Sequence, residues 1–422
     1  MDGGQADVHG ALARALRRSH HIGPGEVAGL VVGTGRELGL SGVRILLADV
    51  QQRRLVPLTG GAALDIDGSL AGLAYRTQRV QRESGGGRGC WVPMADGIER
   101  LGVLYAAPDE GRAGTGAGAE AEARAGAGSE TGAGAETEER ADALATLATL
   151  LLVSKSTHDD GLITAVRSRP MSHQAELVWA ILPPRTIGSR RVTSSAVLEP
   201  AYDVGGDAFD HSFDGDVLQL AVLDAMGHDL ASGGASAIAL AACRAARRDD
   251  TEVSGGSGVA ALTRVAQRIE EALTRWIPDR LLTGVLARLD TMTGRLAWVN
   301  CGHPPPLLIR DGRVVPHALE RTAQLPLGLG AYGEGREPAG HTVRLQPGDR
   351  VLVHTDGVTE ARSPDGETFG EQRLTDIVVR SMAAGEAAPE ALRRLVLSLL
   401  DHQAHELRDD ATILLTEWHP QH

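Results

Sequence analysis

Four acidic clusters stand out along the chain: Val204-Gly205-Gly206-Asp207 with Asp210, then Asp224-Ala225-Met226-Gly227-His228, then Thr355-Asp356-Gly357, and last Arg408-Asp409-Asp410. The second and third each follow an apolar run, Leu218–Leu223 and Val351–Val353. A carboxylate just beyond a buried strand is held firmly at the edge of a sheet, and a neighbouring glycine lets backbone, metal or substrate come close. Any one Asp-Gly alone reads as a turn. Four such clusters at strand ends, with no cysteine among them, point instead to oxygen ligands for hard cations such as Mg²⁺ or Mn²⁺. Two such ions roughly 3.5–4 Å apart generate hydroxide and clamp a phosphoryl group for in-line attack.

Stepping outward, the stretch from Val192 to the end alternates strands with long helices. Strands are expected at Val192–Leu198, Val217–Leu223, Leu281–Leu289, Arg295–Asn300, Pro306–Ile309 and Arg350–His354, and helices at Gly233–Arg247, Gly258–Trp276 and Pro389–His405. That order predicts an α+β layered sandwich.

The segments Val204-Gly-Gly-Asp-Ala-Phe-Asp210, Asp224-Ala-Met-Gly-His228, Asn300-Cys-Gly-His-Pro-Pro-Pro306, His354-Thr-Asp-Gly-Val-Thr-Glu360 and Asp409-Asp-Ala-Thr412 resemble, in order and spacing, the metal-dependent PPM phosphatases. The bacterial SpoIIE-like branch, which serves sporulation and stress sigma-factor pathways, is the nearest in pattern. The resemblance covers about residues 173–417 and implies a central β-sandwich flanked by helices. It implies a serine/threonine protein phosphatase using two Mn²⁺ or Mg²⁺ ions. Asp224 is then the bridging ligand, helped by the backbone carbonyl of Ala225. Asp356 and Asp409 hold the first metal, Asp207 sits at the centre mainly through bound water, and Asp410 is a further candidate beside Asp409. Asp210 is expected to support the site from behind. The implied substrate is a phosphorylated anti-sigma-factor antagonist, and homodimerisation is left open. Two departures matter. Met226 stands where eukaryotic relatives carry a proposed general-acid histidine. Asp229 stands where glycine is frequent, a change the site tolerates if Asp229 opens a helix, where an acid favours the dipole. His303, in its Gly-His-Pro-Pro turn, reads as a loop lock.

Ahead of this lies a small α/β unit, residues 1–155, whose hairpin, insertion and final helix resemble a GAF-type sensory domain. A helix is expected over Glu26–Leu40, strands at Val43–Val50 and Leu55–Leu58, and a hairpin pairing Cys90–Met94 with Leu101–Ala106. Residues 110–140 are nearly all Gly, Ala and Glu and are expected to be disordered, with a helix resuming at Ala141. Residues 156–190 are expected to be a helical linker or switch containing the helix Ser172–Leu182, and 191–418 the phosphatase domain.

Composition narrows the partners. The chain has 422 residues and a net charge of −13, which argues against nucleic acid and against anionic membrane surfaces. The same acidity weakens a metal-nuclease reading. Three scattered cysteines, Cys90, Cys243 and Cys301, read as buried small hydrophobes in a reducing cytoplasm. No run of about 18 apolar residues is present. The competing function is a catalytically silent, ligand-sensing scaffold that docks a signalling partner. A full set of aspartates argues against it.

Overall fold

The computed structural model describes residues 2–83, 89–109, 129–156, 159–249, 258–322, 324–329, 339–404, 407 and 409–419. The chain divides into two compact units, Met1–Ser168 and Arg169–His422.

The first unit comprises helices α1 (Asp2–Ser19), α2 (Val27–Glu37) and α3 (Leu70–Thr77), then α4 (Ser129–Ser156) and α5 (Asp160–Ala165). Its strands are β1 (Leu40–Ala48), β2 (Arg54–Pro57), β3 (Leu64–Asp65), β4 (Gln81–Arg82), β5 (Cys90–Asp96) and β6 (Glu99–Pro108). The strands form one antiparallel sheet in the order β3-β2-β1-β6-β5-β4. Alternation assigns its two faces. Ile45, Val92 and Leu104 face a core with α1, α2 and α4, whereas Leu46, Trp91 and Val103 face α3. The expected hairpin is β5–β6.

The expectation of disorder over 110–140 is corrected for its second part, since α4 begins at Ser129; residues 110–128 lie outside the described residues. Alanine and glutamate are good helix formers, and the buried stretch Ala141, Leu144, Ala148 and Leu151 anchors a helix that continues toward its N-terminus. Glu138 pairs with Arg82, and Glu136 with Arg140 one turn away, while Arg140 also donates to the Leu38 carbonyl.

The second unit opens with helix α6 (His173–Ile181) and then strands β7 (Thr186–Gly188), β8 (Val192–Glu199), β9 (Asp207–Asp214) and β10 (Val217–Ala225). Helices α7 (Leu230–Asp249) and α8 (Gly258–Trp276) follow, and then β11 (Leu282–Asp290), β12 (Arg295–Cys301), β13 (Leu307–Arg310), β14 (Arg313–Val314), β15 (Gly340–Arg344) and β16 (Arg350–His354). The single turn α9 (Asp356–Thr359), helices α10 (Gly370–Ala383) and α11 (Ala388–His402), and β17 (Ala411–Trp418) complete it. One sheet runs β15-β12-β11-β10-β9 and the other β14-β13-β16-β17-β8-β7.

The inner faces of these sheets meet in one core containing Phe209, Leu220, Val285 and Trp298 from the first and Leu198, Val353 and Leu414 from the second. Outside the first sheet lie α7 and α8, over Ala221, Leu223 and Leu286. Outside the second lie α10 and α11, over Leu352, Ile413 and Leu415. This is the layered α+β sandwich flanked by helices that the sequence predicts.

The stretch 156–190 does not form one linker. Helix α5 belongs to the first unit, whose Val50 amide donates to Val166. Helix α6 belongs to the second: Ser172 caps it by accepting from the Ala175 amide, and Ala175 and Val178 enter the sandwich core. Trp179 packs there too and donates through Nε1 to the Ala201 carbonyl at 2.7 Å. Among the described residues, no helix is long and apolar enough to cross a membrane.

Candidate metal centre

Strand register brings the first two aspartates together. Asp207 opens β9 and Asp224 lies near the end of β10, and the two are direct antiparallel partners. Directly opposed residues share a face. That face is the sandwich interior, which Phe209 and Val222 continue inward. The other sheet supplies Asp356, two residues beyond the end of β16 and the first of α9, and Asp409 and Asp410, just ahead of β17. The end of the sandwich therefore gathers carboxylates from both sheets.

Two hydrogen-bonded clasps hold the sheets in that relation. Asp410 Oδ2 accepts from the backbone amides of Gly205, Gly206 and Asp207, at 2.9 Å and 3.1 Å for the outer two. Thr355 Oγ1 donates to Asp207 Oδ2 at 2.8 Å and accepts from the Thr412 amide at 2.9 Å. Asp410 thus spends one carboxylate oxygen on three amides, which marks it chiefly as the anchor of the Gly205–Asp207 loop.

The paired glycines are there because nothing larger fits. A Cβ on Gly206 would lie 2.3 Å from the Ala225 carbonyl oxygen and 2.6 Å from that of Gly227. One on Gly205 would lie 2.6 Å from the His228 backbone, and one on Gly357 would meet the Asp410 carbonyl at 2.0 Å. The loops that carry Asp207, Asp224, Asp356 and Asp410 therefore touch backbone to backbone.

The electrostatics are those of crowded negative charge. Burial first, then Asp356, Asp409 and Asp410, push the Asp224 carboxyl up to about 7. Burial, then Asp224 and Asp410, raise Asp207 well above the ordinary carboxylate range. Burial raises Asp409, with Asp356 adding to it and His228 opposing it. Asp210 is the contrast. It is 2% exposed and paired with Arg244 and Arg247 of α7, which bring its carboxyl below the usual range despite burial.

Asp210 is accordingly a correction to the expected supporting role. Three residues along a strand from Asp207 it faces the opposite side, toward α7. There Arg244 donates both to Asp210 Oδ1 and to the Ile181 carbonyl at the end of α6. Asp229 does open α7: its Oδ1 accepts from the Ser232 amide and hydroxyl, both at 2.8 Å, and Arg280 pairs with it at 2.7 Å. These donors hold its carboxyl down at about 2. Met226 is 61% exposed beside Asp224. Thr355 and Thr283 are the local contributors that motif reading passes over; Thr355 carried a signal only as the residue immediately before Asp356, whereas the Gly205–Gly206 pair was legible as a place of close approach.

Among the described residues, no three His, Cys, Asp or Glu side chains are drawn tightly enough together to enclose a cation. The aspartates act on one another's ionisation without meeting at a common point. The donor set nevertheless suits hard divalent ions. It is all oxygen, and the leading partners of Asp224 and Asp207 include no basic side chain. Cys243 and Cys301 lie away in the helix-side core.

Residues 214–419, within the second unit, match the family model described as Stage II sporulation protein E (SpoIIE). Among curated proteins the chain is similar to Protein IcfG of Synechocystis sp., 27% identical over 113 residues, which span 27% of this chain and 17% of that protein. Among solved structures it is similar to the RsbU and RsbW domains of a Mycobacterium tuberculosis protein (23% identity, TM-score 0.44, 56% of this chain and 63% of that one). It is also similar to the SiaA-PP2C domain of Pseudomonas aeruginosa (22% identity, TM-score 0.44, 53% of this chain and 85% of that one). The chain thus spans only part of the length of these first relatives.

Proposed function

We propose that the second unit is a metal-dependent serine/threonine protein phosphatase, hydrolysing phosphoserine or phosphothreonine on a regulatory protein. The observation that carries this is the gathering of Asp207, Asp224, Asp356 and Asp409 at one end of the sandwich, where burial and mutual repulsion raise the carboxyls of Asp207, Asp224 and Asp409. The match of residues 214–419 to the SpoIIE family model supports it.

In this reading Asp224, the Ala225 carbonyl, Asp356 and Asp409 would hold two Mn²⁺ or Mg²⁺ ions, and Asp207 would act mainly through bound water. When bound, such ions lower the pKa of water and stabilise charge on a phosphoryl group in flight. The chain's part is to fix the donors. Thr355 orients Asp207, and Asp410 pins the loop against the Ala225 carbonyl. Attack of water oxygen on phosphorus breaks the bond to the serine or threonine oxygen. With Met226 at the position of the resemblance's general acid, that oxygen takes its proton from solvent.

The substrate in this reading is a phosphorylated anti-sigma-factor antagonist, a partner suited to a SpoIIE-type domain. The first unit is read as a GAF-like sensory domain governing the second. The test is phosphate release from a phosphoserine peptide and from the phosphorylated antagonist of the host. Activity that needs Mn²⁺ or Mg²⁺ and stops on chelation is expected. A folded chain that releases no phosphate at saturating Mn²⁺ refutes the proposal and favours the silent scaffold.

A further inference from the structure

His303 is more than a loop lock. It sits just beyond β12, 6% exposed, and its backbone is bracketed by one side chain. Asn300 Oδ1 accepts from the His303 amide, and Asn300 Nδ2 donates to the His303 carbonyl, both at 2.8 Å. Gly302 turns the chain at φ +71°, pressed against Pro326. The imidazole therefore has a fixed position. Its Nδ1 lies 2.8 Å from Thr283 Oγ1. Thr283 lies on β11 directly opposite Asp224 of β10, so the two side chains stand on the same face as neighbours.

The direction of these bonds follows from counting hydrogens. A threonine hydroxyl has one proton. If it donates to Asp224, it can only accept from His303, so the imidazole must carry its hydrogen on Nδ1. His303 Nε2 is buried, and the His354 backbone lies near the ring without closing a hydrogen bond of ordinary geometry to it. Bare acceptors are left unpaired in protein interiors more readily than N–H groups are, which favours the same tautomer. Burial and the neighbouring His354 push the His303 imidazole down to about 3, so it stays neutral. The strand register sets the Thr283 hydroxyl beside the Asp224 carboxyl, where it favours the ionised form against burial.

We propose that His303 and Thr283 are positioning residues for Asp224: a relay from His303 Nδ1–H to Thr283 Oγ1–H to the Asp224 carboxylate sets the orientation in which that aspartate meets a divalent cation. This rests on the phosphatase reading only for what Asp224 binds. The relay itself is a property of the metal-free chain.

The test has two independent arms. In the first, two-bond ¹H–¹⁵N correlations on the metal-free, histidine-labelled chain assign the His303 tautomer, with His303→Asn identifying its signals. The Nδ1–H form is expected. An Nε2–H form, its hydrogen turned toward the His354 backbone, overturns the relay. In the second arm, Mn²⁺ binding is followed by electron paramagnetic resonance for the parent, Thr283→Val, Thr283→Ser and His303→Asn, with thermal melts in chelator. Loss of an orienting partner behind a metal ligand typically weakens binding about 10–100-fold. Thr283→Val should show that loss with an unchanged melt. Thr283→Ser, which keeps the hydroxyl, and His303→Asn, which can keep a donor near the Nδ1 position, should restore binding. Parental affinity in a folded Thr283→Val chain overturns the proposal. A parent chain that has the Nδ1–H tautomer but binds no Mn²⁺ sinks the phosphatase reading and leaves the hydrogen-bonded relay supported.

Discussion

Substitution of Gly206 by alanine isolates backbone geometry from ligand chemistry, because it alters no charge, no donor and no acceptor. The added Cβ would lie 2.3 Å from the Ala225 carbonyl oxygen and 2.6 Å from that of Gly227. The first distance is roughly 1 Å inside ordinary contact. Both neighbours are backbone, so no side chain can swing away. Relief must come from the Ala225 carbonyl, which the proposed reading assigns to the second metal, or from the Gly205–Asp207 loop, whose three amides bind Asp410. Either movement displaces a donor by a fraction of an ångström to 1 Å. Misplacement on that scale costs about 100-fold in rate, and overpacking of a rigid site costs about 1–3 kcal/mol of stability. The assay is Mn²⁺-dependent phosphate release, with a full Mn²⁺ titration and a thermal melt of each chain. Gly29→Ala serves as the control, since a Cβ there meets nothing within 4 Å. A folded Gly206→Ala chain with parental rate and parental Mn²⁺ dependence would show that the backbone contact does not position the site.

Three further outcomes are expected. Asp224→Ala and Asp356→Ala each abolish turnover and leave the fold intact, whereas Asp210→Ala strands Arg244 and Arg247 and lowers stability by about 3–5 kcal/mol; melts and phosphate release on the same preparations separate the two behaviours. In chelator the second unit loses stability as pH rises from about 4 toward about 7, because the folded chain binds the Asp224 proton more tightly than the unfolded chain does. The loss is complete above the folded value, and Asp224→Asn should flatten the slope of melting temperature against pH; an unchanged slope contradicts the crowding of charge. Val178→Ala opens a cavity under α6 costing about 1–3 kcal/mol and should raise the Mn²⁺ concentration needed for half-maximal activity, while Leu177→Glu, on the half-buried flank, should do so less; equal Mn²⁺ dependence in all three chains removes α6 from control of the site.

What the sequence discloses depends on how each strand is paid out between core and site. β10 and β16 are legible because unbroken apolar runs end at Asp224 and His354, and a continuous apolar run is what a strand buried on both faces requires. β9 is not, because Asp-Ala-Phe-Asp-His-Ser-Phe-Asp reads as a polar loop. Its polar residues are satisfied only by distant partners: Asp210 by arginines of α7, and His211 by Ser194 and the Pro184 carbonyl. β17 has a short apolar run that periodicity cannot tell from a buried helical segment. Asp210 was misassigned for the same local reason. Its closeness to Asp207 in sequence suggests a shared site, but in a strand an offset of three turns a side chain to the other face. Thr283 offers no signal at all, since its meaning comes from the register that sets it opposite Asp224.

The site is a junction between two sheets, and that bears on control. Asp207 and Asp224 come from one sheet, and Asp356, Asp409 and Asp410 from loops at the ends of the other. Their relative position rests on the Asp410–Gly205 and Thr355–Asp207 clasps. Gly205 is in turn near α7 and α6: a Cβ on Gly233, in the first turn of α7, would lie 3.1 Å from the Gly205 carbonyl oxygen, 3.4 Å from Gln174 and 3.6 Å from Val178. Close packing of this kind leaves little free volume, so a displacement of α6 is passed on rather than absorbed. The element nearest the first unit in sequence thus leans on the loop that anchors the aspartates. A signal reaching α6 would have to move it by only a fraction of an ångström to alter how the two sheets present their carboxylates, and no rearrangement of either sheet would be needed.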